Sequence, residues 1–161
     1  MATPEEFTEF VAARYSALVR TARFLVADAH AAEDLVQDAL VKCVGAWPRI
    51  NGDPEGYVRT VMVRTNISRW RRVRLREHAV EHLPEVSISD PDVAEADALR
   101  RALATLPPKQ RTVVVLRHVE DRTEREVAEL LGCSLGTVKS QCHAGLAKLR
   151  EALAEPVPSP V

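Results

Sequence analysis

Residues 124–148 read EREVAELLGCSLGTVKSQCHAGLAK, and their internal spacing is that of a helix-turn-helix. Ala128, Gly132 and Val138 stand four and then six residues apart. A small side chain at Ala128 lets two helices cross closely. Gly132 can take the left-handed backbone that a Cβ resists. Val138 then points back into the angle between the helices, with Val127 and Leu131 flanking the first pair and Leu135 and Leu149 bracketing the second helix. Thr137, Lys139, Ser140, Gln141 and His143 remain outward, a polar set suited to base edges and phosphates. An ordinary helical hairpin with a glycine turn is the plainer alternative.

Working outward, 161 residues suit one medium domain or two small ones. The chain is 46% hydrophobic but only 4% aromatic, and it holds six glycines. Cores built from Ala, Val and Leu without long β-branched alternation predict an all-α fold. Cys43, Cys133 and Cys142 form no C-x-x-C pair, which suits buried thiols in a reducing compartment. The start MATPEEFTEF lacks a basic-then-apolar signal, and no apolar run approaches membrane-spanning length. A soluble, cytoplasmic protein with no membrane contact is therefore expected.

The net charge of −1 conceals two opposed blocks. Seven arginines and no acid lie from Arg59 to Arg76, whereas seven acids and no lysine or arginine lie from Glu77 to Asp97. So sharp a switch implies parts with different electrostatic tasks. Apolar spacing predicts a first helix over Pro4 to Ala27 and a second, capped by Asp28, through Trp47, where Pro48 stops it. Asp53-Pro54 starts a third helix that runs to Glu81, with Val58, Val61, Met62 and Thr65 inward. The segment 83–92, LPEVSISDPD, is a flexible acidic linker between domains 1–82 and 93–153. Asp90-Pro91 restarts a helix to Thr105, Pro107-Pro108 breaks it, and Lys109–His118 forms another before the helix-turn-helix. The proline-rich tail 154–161 is expected to be disordered. Three helices, a linker and four helices result.

Three constellations bear on chemistry. Arg69, Arg71, Arg72, Arg74 and Arg76 surround Trp70, with Tyr57 upstream; guanidinium groups pair with phosphate and aromatics carry unpaired bases. A solvated basic helix with Trp70 in the core is the alternative. Asp34 and Asp38 share a helix face, as a metal or acid–base pair would, but no further ligand accompanies them and a solvated or partner-binding face fits better. His78 and His82, one turn apart, lack a third zinc ligand. Neither a G-x-S-x-G elbow nor a glycine-rich phosphate loop is present. Neither an enzyme, a cofactor nor a metal site is expected.

Taken together, AEDLVQDAL, DPEGYVRTVMVRTNISRWRR, TLPPKQRTVVVLRHVED and LGCSLGTVKSQCHAGLAKLRE make the chain resemble a bacterial extracytoplasmic-function sigma factor. Within that group the R-W-R-R and G-T-V-K-S-Q phrases are most similar to the actinobacterial SigE-type subfamily. The resemblance covers about Phe7 to Leu153 and implies two helical modules, regions 2 and 4 of the family. It implies that Asp34, Gln37, Asp38 and Val41 bind the clamp helices of core RNA polymerase. Tyr57, Arg64, Ser68, Arg71 and Arg72, with the loop at Ile50–Asp53, would engage the −10 element and hold a flipped base. Glu85, Asp90 and Asp92 in the linker would mimic RNA in the polymerase cleft. The recognition helix would read the −35 element through Thr137, Lys139, Ser140, Gln141 and His143, while neighbouring apolar groups rest on the flap. The implied partners are core polymerase and promoter DNA, with an anti-sigma factor left open. The chain departs from the family pattern at Arg64, where asparagine is frequent, and at Gln141 and Ala144, where many members carry arginine. A free-standing repressor or activator with a helical sensing or dimerisation domain is the competing reading.

Overall fold

A computed structural model describes residues 3–76 and 94–154, and the chain divides into two compact units, Met1–Glu85 and Val86–Val161. Every regular element among the described residues is helical. The expected end of the third helix, the linker 83–92 and residues 155–161 of the expected tail lie outside the described residues, as do His78, His82, Glu85, Asp90 and Asp92, whereas Ala154, the first residue of that tail, is helical.

In the first unit, α1 covers Pro4–Leu25 and opens with a capping box. The Thr3 hydroxyl accepts from the Glu6 amide (3.2 Å), and the Glu6 carboxylate accepts from the Thr3 amide (2.7 Å). Val26 is extended, so α1 ends at Leu25, two residues before the expected Ala27. The Asp28 carboxylate then caps α2, Ala29–Ala46, by accepting from the His30 amide. The α-helix ends at Ala46, one residue before the expected Trp47, but Pro48 does not end the helical turn. It sits in the first turn of a 3-10 segment, Trp47–Arg49, where its missing N–H costs nothing. Trp47 is thereby turned under α1: its indole N–H donates to the Thr3 carbonyl (3.0 Å), and the rings of Phe7 and Phe10 lie 5.1 and 5.3 Å away.

Asp53 starts α3, Pro54–Arg76, by accepting from the Gly56 amide (3.0 Å). Val58, Met62 and Thr65 are buried as expected, whereas Val61 is half-buried at a cleft. The core joins Leu18 and Leu25 of α1 to Leu35, Val36 and Cys43 of α2 and to Val58, Met62 and Ile67 of α3. Each fully buried aliphatic side chain contributes roughly 1.5–3 kcal/mol. Burial also pushes the Cys43 thiol up to about 11. On the rim, Glu55 receives both Arg14 of α1 (2.8 Å) and Arg59 one turn along α3 (2.5 Å).

The second unit contains α4 (Ala94–Ala104), α5 (Pro108–Val114), α6 (Glu124–Leu131) and α7 (Leu135–Ala154). Pro108 occupies the first turn of α5. The α-helix expected through His118 ends at Val114, and Val115–Val119 forms a π turn closed by Glu120 N–H donating to Val115 C=O (3.0 Å). Arg111 binds the end of α4 to α5. Its guanidinium donates to the carbonyls of Leu103 (3.0 Å), Ala104 (3.3 Å) and Leu106 (2.9 Å), groups that a helix terminus leaves orphaned. Burial lowers the Arg111 pKa, and the guanidinium remains charged.

Candidate nucleic-acid and protein interfaces

The helix-turn-helix forms as its spacing predicts, and the turn chemistry explains why. Gly132 adopts φ 65° and ψ 39°. Cys133 N–H donates to Ala128 C=O (3.1 Å) and Gly132 N–H to Glu129 C=O (3.3 Å), the paired bonds of a Schellman stop. Val127, Ala128, Leu131 and Val138 are buried where the helices cross. Leu149 is also buried, but Leu135 is exposed at the start of α7 and packs less than its bracketing position suggested. Gly145 has a reason that spacing alone did not reveal. A Cβ there would fall 2.7 Å from Val114 Cγ2, so α5 and α7 touch almost backbone to side chain.

The outward residues of α7 are not equivalent. Lys139, Ser140 and His143 are exposed, opposite the buried edge of Val138, Gly145 and Leu149. Thr137 and Gln141 flank that face and are half-buried. Ser134 caps α7: its hydroxyl accepts from the Thr137 amide (3.1 Å) and lies 3.0 Å from the Thr137 hydroxyl. The Ser140 hydroxyl donates back to Thr137 C=O (3.1 Å), and Lys139 Nζ lies 4.0 Å from Glu124 of α6. From the inner side, Cys142 Sγ meets His118 Nε2 of the π turn at 3.6 Å. Burial raises the Cys142 pKa; Arg117 opposes that shift and Glu124 adds to it.

On α3 the five residues expected to engage single-stranded DNA share one face. At 3.6 residues per turn, Tyr57, Arg64, Ser68, Arg71 and Arg72 fall within about 100° of arc, and all five are exposed. Tyr57, Arg64 and Ser68 also line a cleft of about 280 Å³ with Val61 and Thr65. Its remaining wall is Lys42 of α2, whose ammonium donates to the Thr65 hydroxyl (3.0 Å). Lys42 carried no motif signal; only the packing of α2 on α3 brings it there. Arg71 and Arg72 lie beyond the cleft. Arg71 stacks 5.5 Å from the centre of the Trp70 ring, and Arg72 Nε donates to Ser68 C=O (3.4 Å). Trp70 is half-buried, between the two alternatives that the sequence allowed.

The remaining set, Asp34, Gln37, Asp38 and Val41, lies along one exposed face of α2. Val44 extends it, so two valines that are 71% and 54% exposed sit beside two carboxylates. Gln37 Nε2 donates to the Tyr15 hydroxyl (3.2 Å), and Asp38 is ion-paired with Arg69 of α3. Asp34 borders an open cleft of about 550 Å³ with Asp28, His30 and Glu33. Among the described residues, no group of three or more His, Cys, Asp or Glu could hold a metal ion, and no helix is long and apolar enough to cross a membrane.

Residues 10–76 match the family described as Sigma-70 region 2, and residues 96–149 match Sigma-70, region 4. The RNA polymerase sigma-E factor of Streptomyces avermitilis is 46% identical over 152 residues, covering 92% of this chain and 85% of that protein. The ECF RNA polymerase sigma factor SigE of Mycolicibacterium smegmatis is 32% identical over 158 residues, covering 91% of this chain and 61% of that protein. The fold is also that of the sigma factor RpoE from Bartonella quintana, solved in complex with the anti-sigma factor NepR. That similarity has a TM-score of 0.64 at 24% identity and covers 92% of this chain and 97% of that one. The two region matches and these relatives place the chain in the sigma-70 family, as an extracytoplasmic-function sigma factor related to the sigma-E factors of Streptomyces.

Proposed function

We propose that the chain is a promoter-specificity subunit that joins core RNA polymerase, reads the −35 and −10 elements and helps to open the duplex. It has no catalytic activity of its own. The observation that carries this reading is the pairing of two unlike DNA faces on one chain. A capped helix with Lys139, Ser140 and His143 outward suits the major groove. A continuous face of Tyr57, Arg64, Ser68, Arg71 and Arg72 beside a cleft suits a displaced strand. A free-standing repressor has use for the first and none for the second.

On this reading Thr137, Lys139, Ser140, Gln141 and His143 face the −35 duplex, with Gln141 and Thr137 at the rim of the contact. The α3 face takes the −10 strand. Asp34, Gln37, Asp38 and Val41, extended by Val44, dock on the polymerase clamp, and Glu85, Asp90 and Asp92 keep their proposed place in the polymerase cleft. Transcription puts the protein in the cytoplasm. An anti-sigma factor is proposed as a further partner on the precedent of the Bartonella complex.

Reconstitution with core polymerase tests the whole reading: transcripts from genomic DNA should start at a shared promoter sequence that core alone ignores. Arg71→Ala with Arg72→Ala should abolish open complexes while leaving polymerase binding intact. Asp34→Ala should weaken polymerase binding instead. Asp34 is a cleaner probe than Asp38, because removing Asp38 also releases Arg69. A common defect in both variants would defeat this division of roles.

A further inference from the structure

The cleft between α2 and α3 is unusual in what it offers a ligand. Of its six lining residues, Lys42 and Arg64 are cations, and none is a carboxylate or an amide. Its acceptors are the hydroxyl oxygens of Tyr57, Thr65 and Ser68, and the Thr65 oxygen already receives Lys42. That bond also fixes the Lys42 ammonium at the wall and leaves two of its N–H groups to spend. Arg64 makes no ion pair or hydrogen bond among the described residues, so its five donors are uncommitted. Tyr57, 42% exposed, supplies an aromatic ring at the same cleft.

A base held there meets donors almost wherever it turns. On the edge that faces the major groove in a duplex, adenine and cytosine bring amino groups, which would meet these donors; guanine's own amino group and N1–H lie away from that edge and can stay in solvent. Guanine brings two adjacent acceptors, O6 and N7, spaced for the fork of one guanidinium. Resting on the proposed reading of the α3 face as the holder of the −10 strand, we infer that this cleft takes an unpaired base by that edge and selects guanine. Arg64 takes O6 and N7, Lys42 reinforces the acceptor edge, and Tyr57 stacks on the ring. Thymine, with one acceptor at O4 on the corresponding edge, ranks second; adenine and cytosine rank last. Lys42 thus becomes a specificity residue on a helix otherwise turned toward polymerase.

The test uses the full chain bound to core polymerase and a pool of single-stranded oligonucleotides carrying a randomised hexamer. Retained strands are sequenced. The expected result is at least about tenfold enrichment of guanine over adenine and cytosine at one position. Arg64→Ala should erase that preference, and Lys42→Ala should reduce it. Arg64→Lys retains charge but not the fork, so it should also lose most of the preference while keeping overall retention. Both sites are on the surface or rim, and unchanged thermal melting verifies the fold of each variant. Uniform weakening of every sequence by Arg64→Ala, with Arg64→Lys restoring it, would show a phosphate contact and overturn the inference. So would enrichment of adenine or cytosine at the position where Arg64 acts. Should the wild-type holoenzyme retain no strand better than core polymerase alone, the strand-holding reading itself falls, and the base preference with it.

Discussion

Along α7 several outward groups are already tied to their neighbours: Thr137 to Ser134, Ser140 to the Thr137 carbonyl, and Lys139 toward Glu124. Along α3, Tyr57, Arg64 and Ser68 surround a cleft, and Arg64 has its donors uncommitted among the described residues. The supports differ in the same sense. Behind α7 stand a left-handed glycine stop, a glycine contact with Val114 and an arginine clamp on three carbonyls. At the α3 cleft itself stands one lysine from another helix, with the Asp38–Arg69 and Arg14–Glu55 ion pairs outside it. Duplex DNA presents fixed groove geometry, so a preset rod reads it at little ordering cost. A displaced strand has no fixed shape, and loose donors around a cavity can adjust to it.

The largest break in this contrast should come from Arg111→Ala. It leaves the carbonyls of Leu103, Ala104 and Leu106 without their charged donor and should cost the second unit about 3 kcal/mol. Both tryptophans, Trp47 and Trp70, lie in the first unit. Urea unfolding followed by far-UV circular dichroism should therefore lose part of its transition early, while tryptophan fluorescence keeps its midpoint. Equal movement of both signals would refute independent support for the two units.

Gly145→Val is next, at roughly 2 kcal/mol, because the new side chain must displace Val114. Binding to a −35 duplex should fall with it, whereas retention of single-stranded oligonucleotides should not. Loss of both activities would mean that the faces are not separately held.

Alkaline pH probes the first unit instead. The Cys43 thiol is raised to about 11 by burial, above the ordinary 9.0. Above pH 9 the unfolded chain releases this proton while the folded chain keeps it, so stability falls as pH rises from about 9 to 11. The slope approaches about 1.4 kcal/mol per pH unit at most. Cys43→Ala should flatten that slope in the fluorescence-detected transition; an unchanged slope would rule out the buried thiol as its source. The smallest effect belongs to Arg69→Ala, whose partly exposed bridge to Asp38 should be worth no more than about 0.5 kcal/mol by fluorescence-detected denaturation. A loss of several kcal/mol would make that bridge a pillar of the unit.

What could be read from the sequence divides along the same line. The helix-turn-helix was legible because Gly132, Ala128 and Val138 each answer a local steric demand at a fixed offset. The α3 face was legible because an α-helix repeats every 3.6 residues. The π turn was not, since Val113–Leu116 is a continuous apolar run whose burial is the same in either helix type. Lys42 and the Asp38–Arg69 pair were equally hidden. Each links α2 to α3 across 23 and 31 residues of sequence, and only tertiary packing sets such distances. Arg111 read as one more charge on a short helix, with nothing local to mark it as a carbonyl clamp.

The Asp38–Arg69 bridge has a consequence for how such a chain can change. Asp38 belongs to the face proposed for polymerase, and Arg69 to the helix proposed for DNA. A variant selected for pairing with a foreign polymerase through position 38 would release a cation onto the DNA helix and alter promoter use without touching a promoter contact. Restoring the original promoter range should then yield second-site changes at position 69. The two specificities are inherited together at this one pair.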